Sequence, residues 1–256
     1  MPLVVVNLVL RSIFTHQMRE LAGWLYLPLA MTHVLIGELA RDVDADWRNR
    51  LGHPWQEELS MQGRCPWVTQ DAEYIAYHDQ QWGQPVNGSL ELFEKLCLDG
   101  QQAGLSWITI LKRTASYRRA FADFDPVLIA AFTETDVERL LQDSGIIRNR
   151  LKVQSIIKNA RAYLAMEQAG IDFAEFLWSF VGGKTRINHW SSMKEAPTST
   201  PESDAMSKAL KKAGFSFVGS TICYAFMQAV GMVNDHEIGC PCHAKCVALA
   251  VERGRA

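Results

Sequence analysis

Charge of one sign is what this chain lacks most plainly: 26 Lys and Arg face 28 Asp and Glu. The first sixty residues hold five of the basic and seven of the acidic groups, so everything after them carries 21 of each and is formally neutral. Neutrality excludes a protein that coats nucleic acid by bulk charge. It leaves room for local patches such as Arg148, Arg150, Lys152 and Lys158, or Lys208, Lys211 and Lys212, although solvated helix faces are the ordinary reading of such runs. No segment of consequence alternates apolar and polar residues at strand period, which excludes a fold built on sheets. There is no Walker or dinucleotide loop and no internal repeat, so the common phosphate cradles and solenoid architectures drop out.

A disulfide framework is also missing. Of six cysteines, Cys97 and Cys223 sit in the apolar contexts KLCLDG and TICYAF, while the other four cluster with histidines. That usage points to thiol or metal chemistry in a reducing cytoplasm. An uninterrupted membrane span is absent too. The N-terminal region opens with PLVVVNLVL and continues with LAGWLYLPLAMTHVLIGEL, but Pro28, Thr32 and His33 break the second run. Residues 1–60 therefore read as an accessory extension or an upstream reading outside the working protein, with Met61 a natural alternative start. The working domain is expected over 61–246, followed by a tail at 247–256.

What is present begins with two pairs of soft ligands, Cys65 with His78 and His236 with Cys240, at opposite ends of this domain-sized stretch. Such spacing is expected of a metal that clips the two ends together. Zinc takes tetrahedral nitrogen and sulfur donors, and a closed site of two thiolates and two imidazoles leaves no position for water, which makes it structural. Taken singly, Cys and His are more often buried hydrophobes or surface imidazoles. The tail GCPCHAKC also gathers Cys240, Cys242, His243 and Cys246 into a competing local site. Spacing alone does not choose between them.

From Asp71 onward the apolar spacing is helical. LELFEKLCLDGQQAGLSWITILKR predicts helix, tight turn, helix, with Gly100 and Gly104 between the two runs. DPVLIAAF predicts a helix capped by Asp125 with Pro126 at its first position, and TETDVERLLQ one capped by Thr or Asp. The segment DVERLLQDSGIIRNRLKVQSIIKNARAYLAMEQAG places Gly145 between two amphipathic helices, with Ile146 and Ile147 as an apolar plug and Arg148 opening the second helix. A hairpin of this kind can aim backbone N–H groups and a helix N-terminus at phosphate without reading sequence, though a glycine turn between packed helices is also a common structural event. Residues 182–203 read as a loop, Ser203 as the cap of the helix after it, and VGSTICYAFMQAVGMV as a buried helix that delivers NDHEIGC.

Four ordered motifs, CPWVTQDAEYIAYHDQQWG, GQQAGLSWITILKR, GIIRNRLKVQSIIKNARAY and KALKKAGFSFVGSTICYAFMQAVGMVNDHEIGC, closely resemble the DNA-3-methyladenine glycosylase I family of bacterial alkylation-repair enzymes. The match runs from about residue 64 to 242. It implies an all-α fold of the helix-hairpin-helix DNA glycosylase type, with a structural zinc held by Cys65, His78, His236 and Cys240, so that Cys242, His243 and Cys246 become bystanders able to compete for metal. It implies an enzyme acting on double-stranded DNA that contains alkylated bases; no lysine stands out for a Schiff base, so a monofunctional, cytoplasmic monomer with no membrane and no protein partner is expected. The base pocket implied uses Tyr77, Trp82, Asp99 and Trp107, with Asp99 and Tyr77 nearest the chemistry. Gly145, Arg148, Arg150 and Lys152 would meet the DNA backbone.

Methylation at N3 makes the attached base cationic and a good leaving group, so selection falls on base extrusion and on aromatic faces that favour a cation by about 0.5–2 kcal/mol. One departure matters: the family usually carries Glu where this chain has Asp99. The carboxylate sits one methylene further back, which bears on rate or lesion preference; Asp99 could instead cap a helix. Asp172, after the hairpin, is given no catalytic role.

Overall fold

The computed structural model describes residues 63–253, and the expected extension at 1–60 lies outside them. The described residues form eleven α-helices, two short 3-10 turns and one two-residue parallel strand pair. The helices are α1 Ala72–Gln80, α2 Ser89–Gln102, α3 Trp107–Leu111, α4 Thr114–Ala120, α5 Pro126–Ala130 and α6 Glu134–Leu140. They continue as α7 Arg150–Gln168, α8 Phe173–Ser179, α9 Pro201–Lys212, α10 Ser220–Ala229 and α11 Pro241–Arg253. None is long and apolar enough to cross a membrane.

Local capping accounts for most boundaries. Asp71 Oδ1 accepts from the N–H groups of Glu73 and Tyr74 and starts α1, while Asp125 Oδ1 accepts from Val127 N–H at 2.8 Å ahead of Pro126. Thr133 and Asp136 close a reciprocal capping box on α6. Three expectations move. Helix α7 opens at Arg150 rather than Arg148 and is capped by Asn149, whose Oδ1 accepts from Lys152 N–H. Thr200 caps α9 with Pro201 at its first position, and Ser203, the third residue of the helix, is the partner in the box rather than the cap. Gly100 lies inside α2, so the turn after that helix belongs to Gly104 alone, whose φ is +75°. At the other end, α11 runs through residue 246 to Arg253 where a tail was expected.

Helix α2 is central and packs against α3, α7, α8 and α10. Its Leu92, Phe93 and Leu96 are fully buried, as are Val153, Ile156 and Ala160 of α7 and Phe226 of α10. Each large side chain so buried contributes about 1.5–3 kcal/mol. This packing fixes α2 in register, and with it the adjoining strip of the same helix that carries Lys95 and Asp99, three and seven residues after Leu92.

The strand pair, β1 Arg186–Ile187 with β2 Val233–Asn234, ties the loop before α9 to the chain after α10. Asp235, fully buried just beyond β2, accepts four hydrogen bonds: from Asn188, Trp190, Tyr224 and Gln228 side chains at 2.6–2.8 Å. A buried carboxylate so fully satisfied is a pin for the segment leading to His236 and Cys240. Gly231, at φ +71°, lets this segment pass residues 84–85, where a Cβ would stand 2.5 Å from backbone atoms.

Candidate active site and metal-binding cluster

Helix α1 serves two sites at once. Tyr74, Tyr77 and His78 recur three and four residues apart, so they share one side of the helix, with the tyrosines toward a cavity and His78 toward the end of the chain. Cys65 lies in the turn before α1, and His236 and Cys240 follow β2. All four are buried, and one ligand atom from each lies within 4.8 Å of the others. Cys65 Sγ and Cys240 Sγ stand 3.5 and 3.6 Å from His236 Nδ1, and Cys240 Sγ is 3.6 Å from His78 Nε2. Metal–sulfur and metal–nitrogen bonds of about 2.3 and 2.0 Å at tetrahedral angles give edges of about 3.5 Å, so the donors are spaced to hold a metal ion.

The outer atoms of both imidazoles are already committed. His78 Nδ1 meets Asp79 Oδ1 at 2.7 Å, and Arg64 clamps the same carboxylate through Nε at 2.9 Å and Nη2 at 2.7 Å. This holds the Asp79 carboxyl below the ordinary carboxylate range, against the opposing effect of its burial. His236 Nε2 lies 3.1 Å from the carbonyl oxygen of Trp82, and Gly83, at φ +80°, leaves room for the ring where a Cβ would stand 2.9 Å from Nε2. Hydrogen bonds from the Cys242 and Cys65 thiols, with help from both imidazoles, hold Cys240 far below the ordinary thiol range. Cys242 Sγ is 3.9 Å from both His78 Nδ1 and Asp79 Oδ1, next to the cluster on its outer side, while His243 turns away and donates to Asn188 O at 2.8 Å.

Beside this cluster is a cavity of about 170 Å³, below the ~300 Å³ where drug-sized pockets begin and suited to a single nucleobase. Tyr77, Trp82, Asp99 and Trp107, the four residues expected to form a base pocket, all line it. The Tyr77 and Trp107 ring centres are 5.3 Å apart, and Trp82 stands edge-on to His236 at 4.5 Å. Asp99 is 3 % exposed and sits within α2, so it caps no helix. Burial pushes its carboxyl above the usual range, with Lys95 opposing, and burial pushes the Tyr77 phenol well up, so Tyr77 is a neutral hydroxyl.

Four buried side-chain polar atoms among the described residues have no hydrogen-bond partner, and three belong to this cavity: Trp67 Nε1, Trp107 Nε1 and Asp99 Oδ2. Buried polar groups are otherwise almost always paired. Two donors and an acceptor left over around one hollow describe a ligand that brings both an acceptor and a donor.

Sequence reasoning missed several lining residues. Trp67 stands edge-on to Trp82 at 5.0 Å, and Met193 arrives from the stretch read only as a loop. Lys95, which no spacing singled out, pairs with Asp99 Oδ1 and holds Nζ 3.9 Å from the Trp107 ring centre. Its position four residues before Asp99 on α2 was the available signal.

The four residues expected at the DNA backbone divide. Gly145, Arg148 and Arg150 lie together in the α6–α7 connection and at the start of α7, with Arg148 exposed and Arg150 paired to Glu134 and Glu138. Lys152 corrects the expectation: it is 7 % exposed and donates to the carbonyls of Gln101 at 2.7 Å and Ala103 at 2.8 Å. Those carbonyls close α2 and need donors, so the ammonium turns inward to meet them. Asp172 caps α8, accepting from Glu175 N–H at 2.8 Å.

Comparison with known proteins agrees with this geometry. Residues 67–243 match the family model for methyladenine glycosylase. DNA-3-methyladenine glycosylase 1 of Escherichia coli is 61% identical over 180 residues, covering 70% of this chain and 96% of that protein. DNA-3-methyladenine glycosylase of Haemophilus influenzae is 55% identical over 182 residues, covering 71% and 98%. A crystal structure of 3-methyladenine DNA glycosylase I superposes with a TM-score of 0.70 at 63% identity, over 70% of this chain and 99% of that one. With this fold, this cavity and this extent of likeness together, the chain belongs to the methyladenine glycosylase family.

Proposed function

We propose that this chain is a DNA base-excision repair enzyme that hydrolyses the N-glycosidic bond of 3-methyladenine in alkylated duplex DNA, releasing the free base and leaving an abasic site. The observation that carries this reading is the aromatic cavity in which Asp99 Oδ2 and two indole N–H groups stand buried and unpartnered. A solved complex of a Tyr-to-Phe variant of 3-methyladenine DNA glycosylase I with 3-methyladenine, 38% identical to this chain, supports the same choice of ligand. The extruded base would stack on Trp107 beside Tyr77 and Trp82, worth about 1–3 kcal/mol by stacking, and an N–H on its edge would donate to Asp99. The ionised carboxylate favours the cationic, bonded form of the base and the positive charge that develops on the sugar as the bond lengthens. Water completes the hydrolysis.

The donor set of Cys65, His78, His236 and Cys240 suits zinc, which would supply folding free energy and no catalysis, since all four positions are taken by protein. The α6–α7 connection with Gly145, Arg148 and Arg150 would act as the helix-hairpin-helix that grips the phosphate backbone, in keeping with its exposed Arg148 and the capped N-terminus of α7.

Incubating the full chain with methylated duplex DNA and identifying released bases by chromatography tests the proposal. Free 3-methyladenine together with alkali-labile, unbroken strands is the expected result. Lesion binding with no base released would make the protein a sensor instead.

A further inference from the structure

The cavity already holds a cation of its own. Lys95 Nζ lies 3.9 Å from the ring centre of Trp107 and 6.0 Å from that of Tyr77, while pairing with Asp99 Oδ1. An ammonium over an indole face and beside a buried carboxylate makes the contacts expected of a bound purine cation: a cation–π contact and a charge-assisted hydrogen bond. The side chain is 17% exposed, so its mobile four-carbon stem keeps one route to solvent. Burial holds the Lys95 amine below the usual lysine range, and Asp99 opposes that effect.

We propose that Lys95 is a specificity-determining residue, a resident cation that occupies the recognition surfaces of Trp107 and Asp99 until a positively charged base replaces it. The proposal rests on the reading of the cavity as a 3-methyladenine pocket. A ring stacked on the face of Trp107 that carries Nζ needs the space the ammonium fills. Two cations would also repel each other strongly at so buried a carboxylate. Exchange of Lys95 for a cationic base trades charge for charge, and Asp99 keeps a counter-ion throughout. A neutral purine offers no such trade, because expelling Lys95 for it would leave a buried carboxylate ionised and unpaired. Undamaged adenine thus meets an occupied pocket, and the N3-methylated base meets one it can empty.

The test uses the full chain as wild type, Lys95→Met and Lys95→Arg. The probe is the permanently charged 3,9-dimethyladeninium, titrated by quenching of tryptophan fluorescence. The Met variant should bind it about tenfold more tightly, since no resident cation has to leave, and the Arg variant more weakly, since a guanidinium stacks and forks better than an ammonium. Equal or weaker binding by the Met variant overturns the proposal. In the wild type, acetylation of Lys95 by acetic anhydride, mapped by mass spectrometry, should increase when the probe is added; unchanged or reduced labelling overturns it without any variant. Base release from methylated duplex by the wild type separates the two levels. Release without these Lys95 effects defeats this inference alone, and no release defeats the functional reading beneath it.

Discussion

His236 joins the cluster of Cys65, His78 and Cys240 to the aromatic cavity, with Nδ1 3.5 Å from Cys65 Sγ and Nε2 3.1 Å from the carbonyl oxygen of Trp82. One ring therefore ties the far end of the chain both to the turn before α1 and to a cavity wall. His236→Ala should lower metal content and thermal stability together and disturb Trp82. Metal analysis and thermal melts of the purified variant check this. Stoichiometric zinc retained through Cys242 would exclude His236 from the ligand set.

Asp79→Asn is expected to act more gently. Asp79 orients His78 through Nδ1 and is itself clamped by Arg64. Loss of such an outer partner typically costs ~10–100-fold in metal affinity. Competition against a chromophoric chelator should show that loss with the helical content unchanged, and an unaltered affinity would assign Asp79 to surface ion pairing alone.

Trp107→Ala removes the ring that faces both Tyr77 and Lys95. Loss of one stacking face should lower excision by about 10–100-fold, in line with ~1–3 kcal/mol per stacked base. Single-turnover base release measures it. Full activity in a folded variant would remove Trp107 from the pocket.

Lys152→Met should destabilise the domain by roughly 1–3 kcal/mol, because the Gln101 and Ala103 carbonyls lose their donor. A phosphate-binding lysine would instead lower the salt slope of DNA binding by about 1. Urea unfolding and DNA titrations at several salt concentrations distinguish the two, with the slope expected to stay put.

The Lys95–Asp99 pair predicts a pH dependence. Burial raises the Asp99 carboxyl and Lys95 opposes the rise, so removing Lys95 should raise it further. A carboxyl whose folded pKa exceeds its unfolded value of about 3.9 penalises the fold once ionised. The penalty is absent below the unfolded value and complete above the folded one. The stability gap between wild type and Lys95→Met should therefore widen as the pH rises from about 4 toward neutrality. Urea unfolding of both proteins across that range measures it; a gap that narrows would place the main burden on desolvation of Lys95.

Much of this fold is written in residues three or four apart. The Asp125–Pro126 start, the Thr133–Asp136 box and the paired apolar positions of α2 and α7 are legible because capping and helical periodicity act within one or two turns. The motif order was enough to bring Tyr77, Trp82, Asp99 and Trp107 to one cavity and Cys65, His78, His236 and Cys240 to one cluster. Competition between neighbouring caps was not legible: Thr200 took the role assigned to Ser203, since Pro201 suits the first helical position and Ser203 can then close the box from inside.

Tertiary structure decided where long cationic side chains end. Lys152 sits in a basic run yet turns inward, because α2 ends against it with carbonyls lacking donors. Lys95 sits on a helix like any other lysine, yet Trp107 and Asp99 draw it into the cavity. Sequence alone determined the all-α character, most of the helices, and which soft ligands and aromatic rings the chain would bring together. The direction of a flexible amine depends on acceptors and ring faces supplied by other elements, and only the packed helices bring those within its reach.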